Sequence, residues 1–152
     1  MPALRFDPTS PAAGCELCSV AGGRLLWSAD AWRVVRVEDA AFPAFYRVIC
    51  NRHVGEFSEL SAAERQRCMN LVCAVERALL ESLGPTKINL AALGNVVPHL
   101  HWHVVARFDW DSRFPQPIWA AAQREVTPPP LERLACPLDT LDDAVRAALQ
   151  AA

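Results

Sequence analysis

No stretch of this 152-residue sequence approaches the roughly 18 consecutive apolar residues that a membrane span requires, so none is expected. Met1 to Gly14 is rich in proline and alanine and lacks the apolar centre of a secretory leader. A cytoplasmic setting is the expectation. Basic charge is not in excess either: 15 Lys and Arg stand against 17 Asp and Glu, a net −2 with histidine neutral. That speaks against a nucleic-acid surface and leaves room for a small phosphorylated ligand. Neither an internal repeat nor a low-complexity linker divides the chain.

What is present fits one globular domain. With 52% apolar and 21% charged residues, the chain can bury a core without disulfides or a metal as a prerequisite. Six cysteines stand at 15, 18, 50, 68, 73 and 136, and in a reducing setting most act as small hydrophobes. Residues 1–14 form a loose lead-in. Trp27 to Val37 carries a strand pattern and Tyr46 to Asn51 a second strand. Ser61-Ala-Ala-Glu64 reads as a capping box opening a long helix. Its apolar stripe is Cys68, Leu71, Val72, Val75, Leu79 and Leu83, and Gly84-Pro85 stops it. Lys87 to Leu93 and His99 to Phe108 are further strands, and residues 111–119, with two prolines, are irregular. Thr140 is the expected N-cap of a terminal helix with Leu141, Val145 and Leu149 on one stripe. The order β-β-α-β-β gives an α+β domain on an antiparallel sheet of about five strands.

Three of the four histidines lie at 99, 101 and 103. Alternation along a strand puts the three imidazoles on one face and Leu100, Trp102 and Val104 on the other. A row of titratable rings is costly when charged, so a purely structural role explains it poorly. Two chemistries suit the row. Neutral imidazoles bind zinc, and imidazoles also attack and hold phosphate.

The flanking residues favour the second. His99-Leu-His-Trp-His-Val-Val105 has the form His-φ-His-φ-His-φ-φ, with φ apolar, and resembles the signature of the histidine triad family of nucleotide hydrolases and transferases. The likeness runs from Cys15 to about Trp119, through Asn51-Arg-His53-Val, the long helix and the Lys-Ile-Asn89-Leu…Gly94-Asn95 approach. The resemblance implies that His101 is the nucleophile at an α-phosphorus, giving a nucleotidyl-histidine that water resolves. It implies that His103 contacts the phosphate and protonates the leaving group. It implies that His99 orients the middle ring through its backbone carbonyl. Asn95 stands where the family often has glutamine; Asn89 and Asp39 match polar phosphate-side and ribose-side positions. Two departures are visible: Ala44-Phe45 replaces a frequent Gly-His, and Val96 replaces a frequent serine.

Cys15-Glu-Leu-Cys18 supplies two of the four ligands of a tetrahedral zinc site. Some bacterial relatives complete such a set with histidines matching His53 and His99, which implies structural zinc here. A redox pair or two unliganded thiols are the competing readings. The resemblance further implies a purine nucleotide or dinucleotide substrate, no nucleic acid and a homodimer. Of the five tryptophans, Trp110 and Trp119 lie where they could reach ligand. The expected domain spans residues 15–125, with a Pro-rich spacer and helix over 126–152 packed on it. The expected function is hydrolysis at an α-phosphate of a dinucleoside polyphosphate or nucleoside phosphoramidate. A nucleotidyl transferase and a nucleotide-binding module with little turnover are the alternatives.

Overall fold

The computed structural model describes residues 10–29 and 31–152, so most of the N-terminal lead-in, residues 1–9, lies outside the described residues. Five antiparallel strands form one sheet: β1 (Arg24–Ala29), β2 (Trp32–Arg36), β3 (Phe45–Cys50), β4 (Lys87–Ala91) and β5 (His101–Arg107). Their spatial order is β1-β2-β3-β5-β4, so the histidine strand β5 sits between β3 and the edge strand β4. The single strand expected over Trp27 to Val37 is in fact a hairpin. Ala29 pairs with Trp32, and the chain doubles back so that Trp27 faces Val34. An alternating apolar pattern has the same period on both arms, which is why the turn was hidden.

The helices follow from local chemistry. A four-residue α1 (Glu16–Ser19) precedes β1, and α2 (Ala62–Leu83) crosses the inner face of the sheet. The capping box forms as expected: Ser61 Oγ accepts from the Glu64 amide at 3.2 Å, and Glu64 Oε2 accepts from the Ser61 amide at 2.7 Å. Gly84 ends α2 at φ 54°, a left-handed conformation that glycine adopts without steric cost. The stripe Cys68, Leu71, Val72, Val75, Leu79 and Leu83 is buried, whereas Cys73 faces solvent. These side chains pack on Val34, Tyr46, Val48 and Val104 from the sheet.

The terminal helix α3 (Leu138–Gln150) starts earlier than Thr140. Pro137 is its N-cap, with its carbonyl accepting from the Leu141 amide at 3.0 Å, and Asp139 falls in the first turn. Proline at this boundary costs no hydrogen bond, because the first-turn amides have no intrahelical partner. Leu141, Val145 and Leu149 join the main core. Asp142 is fully buried and accepts two bonds from Arg36, at 2.9 and 3.1 Å, and one from Tyr46 Oη at 2.9 Å. These contacts tie α3 to β2 and β3. Burial, with the neighbouring carboxylate, pushes the Tyr46 phenol up and keeps it a neutral donor. No helix among the described residues is long and apolar enough to cross a membrane.

Candidate active site and metal-ligand cluster

The outer face of the sheet carries the polar chemistry. Register places Ile49 opposite His101 and Arg47 opposite His103. Trp102 and Val104 point to the inner face against α2, as alternation requires. His99 lies just before the regular strand, its amide donating to Val97 O at 2.8 Å. It is therefore not the first member of an even row. Its ring turns to His53, 5.2 Å between centroids, whereas the rings of His101 and His103 meet edge to face at 4.8 Å.

Backbone carbonyls set the tautomers. His99 Nε2 donates to Cys50 O at 2.6 Å, and a carbonyl only accepts, so Nδ1 carries the lone pair. His101 Nδ1 donates to His99 O at 2.6 Å, so its lone pair lies on Nε2. The expected orienting carbonyl is thus in place. All three imidazoles are held below their ordinary protonation range, with burial the first cause in each. For His103 the value falls to about 3, burial being followed by the charges of His101 and Arg47. Its Nδ1 is buried without a hydrogen-bond partner.

A cavity of about 460 Å³ opens over His101 and His103, a size that suits a nucleotide-class ligand. Glu16 and Leu17 of α1 form one wall, the 93–97 loop another, and Trp119 the third, while Arg47 completes the floor. Gly94, at φ 71°, makes the turn that brings Asn95 to the lining. Trp119 packs its ring 5.1 Å from that of His103. Trp110 does not approach the site; it stacks on Phe108 at 4.6 Å beneath the Arg133 guanidinium. Two expected ligand-side residues are engaged elsewhere. Asn89 Oδ1 accepts from Arg107 Nη1 at 2.7 Å, and Asp39 Oδ1 accepts from the amides of Ala41 and Phe42, capping a turn. Neither lines the cavity.

Two residues beyond the expected set shape this wall. Arg107, fully buried, binds Asp111 through two bonds at 2.7 and 3.0 Å and Gln116 O at 2.8 Å. Asp111 also accepts from the amides of Phe108, Arg113 and Phe114, so the irregular segment leading to Trp119 is held at its middle.

Cys15, Cys18, His53 and His99 come together, one potential ligand atom of each lying within 4.8 Å of the others. Cys15 Sγ and Cys18 Sγ stand 3.4 and 3.5 Å from His99 Nδ1, the nitrogen left unprotonated by the Cys50 contact. Cys18 Sγ is 3.5 Å from His53 Nδ1. Two thiols and two imidazole lone pairs form a tetrahedral, borderline-soft donor set, so these residues fit a metal of the zinc type. Arg33 secures the segment: Nε donates to Ala21 O at 2.9 Å, Nη2 to Leu17 O at 2.6 Å and Nη1 to Asn51 Oδ1 at 2.9 Å. Of Arg33, Arg47 and Arg107, Arg47 has a signal in the sequence: it is the one charge inside the otherwise apolar strand β3.

The family model for the HIT domain matches residues 21–110. The chain belongs to the HIT family. Proteins of this family bind nucleotides and are commonly hydrolases or transferases. Among solved structures, a histidine triad protein from Bradyrhizobium japonicum is 26% identical, with a TM-score of 0.68 over 85% of this chain and 92% of that one. A histidine triad protein from Marinobacter aquaeolei VT8 is also 26% identical, with a TM-score of 0.67 over 86% and 91%. A Zn-bound histidine triad family protein from Mycobacterium smegmatis shares the fold at 17% identity, with a TM-score of 0.60 over 91% and 94%. No curated protein sequence matches the chain. The histidine run and the carbonyl that orients His101 thus lie together at the start of β5.

Proposed function

We propose that this HIT protein hydrolyses nucleotides at the α-phosphate through His101. The observation that carries the reading is the 2.6 Å bond from His101 Nδ1 to His99 O beside the cavity. That bond commits the lone pair to Nε2. Burial keeps the ring neutral, as a nucleophile must be. Nε2 attacks the α-phosphorus, the bond from phosphorus to the leaving group breaks, and a nucleotidyl-histidine results. Water then attacks phosphorus, displaces Nε2 and releases a nucleoside monophosphate. His103, neutral in the free protein, takes up a proton once an anionic phosphate lies against it and passes it to the leaving group. Asn95 supplies a side-chain amide to the phosphate oxygens.

The substrate is a purine nucleotide or dinucleotide, either a dinucleoside polyphosphate or a nucleoside phosphoramidate. Cys15, Cys18, His53 and His99 would hold zinc, a reading supported by the donor chemistry and by the Zn-bound mycobacterial relative. Bound there, the ion supplies a structural cross-link between α1, the residues after β3 and the start of β5. The reading places the protein in the cytoplasm, where its thiols stay reduced. It also makes the protein a homodimer through the edge of β4, where Leu90 faces solvent.

One observation favours a second reading. Phe45 packs its ring 5.3 Å from His103, where a histidine would continue the proton relay, and His103 Nδ1 has no partner. That suits a nucleotide-binding module with little turnover. A single-turnover reaction with a labelled dinucleotide tests all readings. Hydrolysis gives a monophosphate, transfer gives the nucleotidyl product of an added phosphate acceptor, and a binding module returns intact dinucleotide.

A further inference from the structure

Arg47 is left over by this chemistry. It is the one Lys or Arg among the described residues that line the cavity, and it stands directly across from His103 on the neighbouring strand. Its Nη1 donates to Gly22 O at 3.2 Å, and its Nε is buried with no partner. The guanidinium lies 5.5 Å over the Phe45 ring, which fixes its position. Glu16 on the cavity wall acts on it only through space. Most of the N–H donors of this fork are thus uncommitted.

A half-buried guanidinium stays charged, because its proton is held too tightly to be lost at working pH. Placed beside two imidazoles it raises the energy of the free protein and lowers the protonation of both rings. The Gly22 carbonyl and the charge of Glu16 offset this half-buried cation only in part, and a structural role leaves the unpartnered Nε unexplained. An anion in the cavity compensates it. Geometry distinguishes which anion. Nε2 of His101 must face the α-phosphorus, and Arg47 pairs with His103, whereas Ile49 stands across from His101. A group bound by Arg47 therefore sits to the His103 side of the nucleophile, next to the α-phosphate rather than on it. The planar fork matches two oxygens of a phosphate in a way that a neutral or cationic amine cannot.

We infer that Arg47 holds the phosphate adjoining the α-phosphate, so that the site selects phosphoanhydride-linked nucleotides over nucleoside phosphoramidates. This rests on His101 being the nucleophile. Arg47 compensates charge on the departing phosphate as the anhydride P–O bond breaks and His101 Nε2 bonds to phosphorus. An amidate leaving as an amine has no such charge to meet it.

The test compares a dinucleoside tetraphosphate with a nucleoside phosphoramidate on the parent, Arg47→Gln and Arg47→Leu. Both variants are first checked by thermal melting, and Arg47→Lys serves where Leu unfolds the chain. The expected result is a fall of about thirtyfold in the ratio of the two kcat/KM values, anhydride over amidate. A ratio that stays within about threefold overturns the inference while leaving the His101 reaction standing. If the parent turns over neither substrate, that reaction fails and binding decides on Arg47. Calorimetry should then show the nucleoside diphosphate binding about tenfold tighter than the monophosphate, with the gap closing in Arg47→Gln. An unchanged gap overturns it.

Discussion

His99 and His101 are two residues apart, and each ring has one nitrogen fixed by a backbone carbonyl at 2.6 Å. The nitrogen fixed is different. His99 is held through Nε2 and offers Nδ1 to the two cysteines; His101 is held through Nδ1 and turns Nε2 to the cavity. On the proposed reading, the same device thus produces a ligand at one position and a nucleophile at the next. Chain order links them, because the carbonyl that orients His101 belongs to His99. What separates a structural from a reacting imidazole here is the hydrogen bond on its far nitrogen, not the residue type.

The largest expected effect comes from removing the reacting side of the comparison. His101→Ala should lower kcat by about a thousandfold or more, with the melting temperature little changed. Turnover within about tenfold of the parent would mean that another group attacks phosphorus. Removing the structural side should do the opposite. Cys18→Ser should drop bound zinc from near one equivalent per chain to near none and lower the melting temperature by about 5–10 °C. Nucleotide binding should persist, because the His99 carbonyl still orients His101. Metal analysis and melting curves check it.

Much of this was open to reading in the sequence, and the residues show why. The tautomer-setting carbonyl of His99 was implied by the HIT resemblance, whereas the capping box and the buried stripe of α2 follow from local spacing. So does the cluster of Cys15, Cys18, His53 and His99, once the HIT resemblance supplied the distant pair. Asp39 and Asn89 were placed at the ligand on matched positions alone. Their oxygens instead cap a turn and bind Arg107, partners set by tertiary packing that no local pattern encodes. Arg33, Arg47 and Arg107 stand in the sequence as charged residues of strand segments. Whether each meets carbonyls, a cavity or a carboxylate depends on which strands become neighbours.

Two smaller effects sharpen the contrast through pH. On the proposed reading His103 is neutral in the free protein and gains its proton only as phosphate binds, so kcat/KM should fall as pH rises through neutrality, while kcat stays level up to an alkaline limb. His103→Asn should flatten that limb, with less effect on a substrate whose leaving group needs no proton. A kcat/KM that stays level as pH rises through neutrality would move the acid role to another group. Stability should respond as well. The folded His103 takes a proton only near pH 3, against 6.5 for the ordinary side chain, so below about 6.5 the unfolded chain binds more protons. Stability is therefore lost as pH falls through that window. Melting curves at pH 7 and 5 should show a smaller decrease for His103→Asn than for the parent, by a few degrees.

The position of β5 between β3 and β4 also bears on how the molecule comes into being. The strands that flank it are contributed from before and after the 22-residue α2, so its pairing with β3 spans about half a hundred residues of chain. Cys50 O can meet His99, and His99 O can hold His101, only when that long-range pairing is closed. A nascent or partly unfolded chain has neither contact, and its imidazoles exchange tautomers as free side chains do. On the proposed reading, reactivity toward phosphorus is then absent from every incomplete form of the protein and arrives together with the finished sheet.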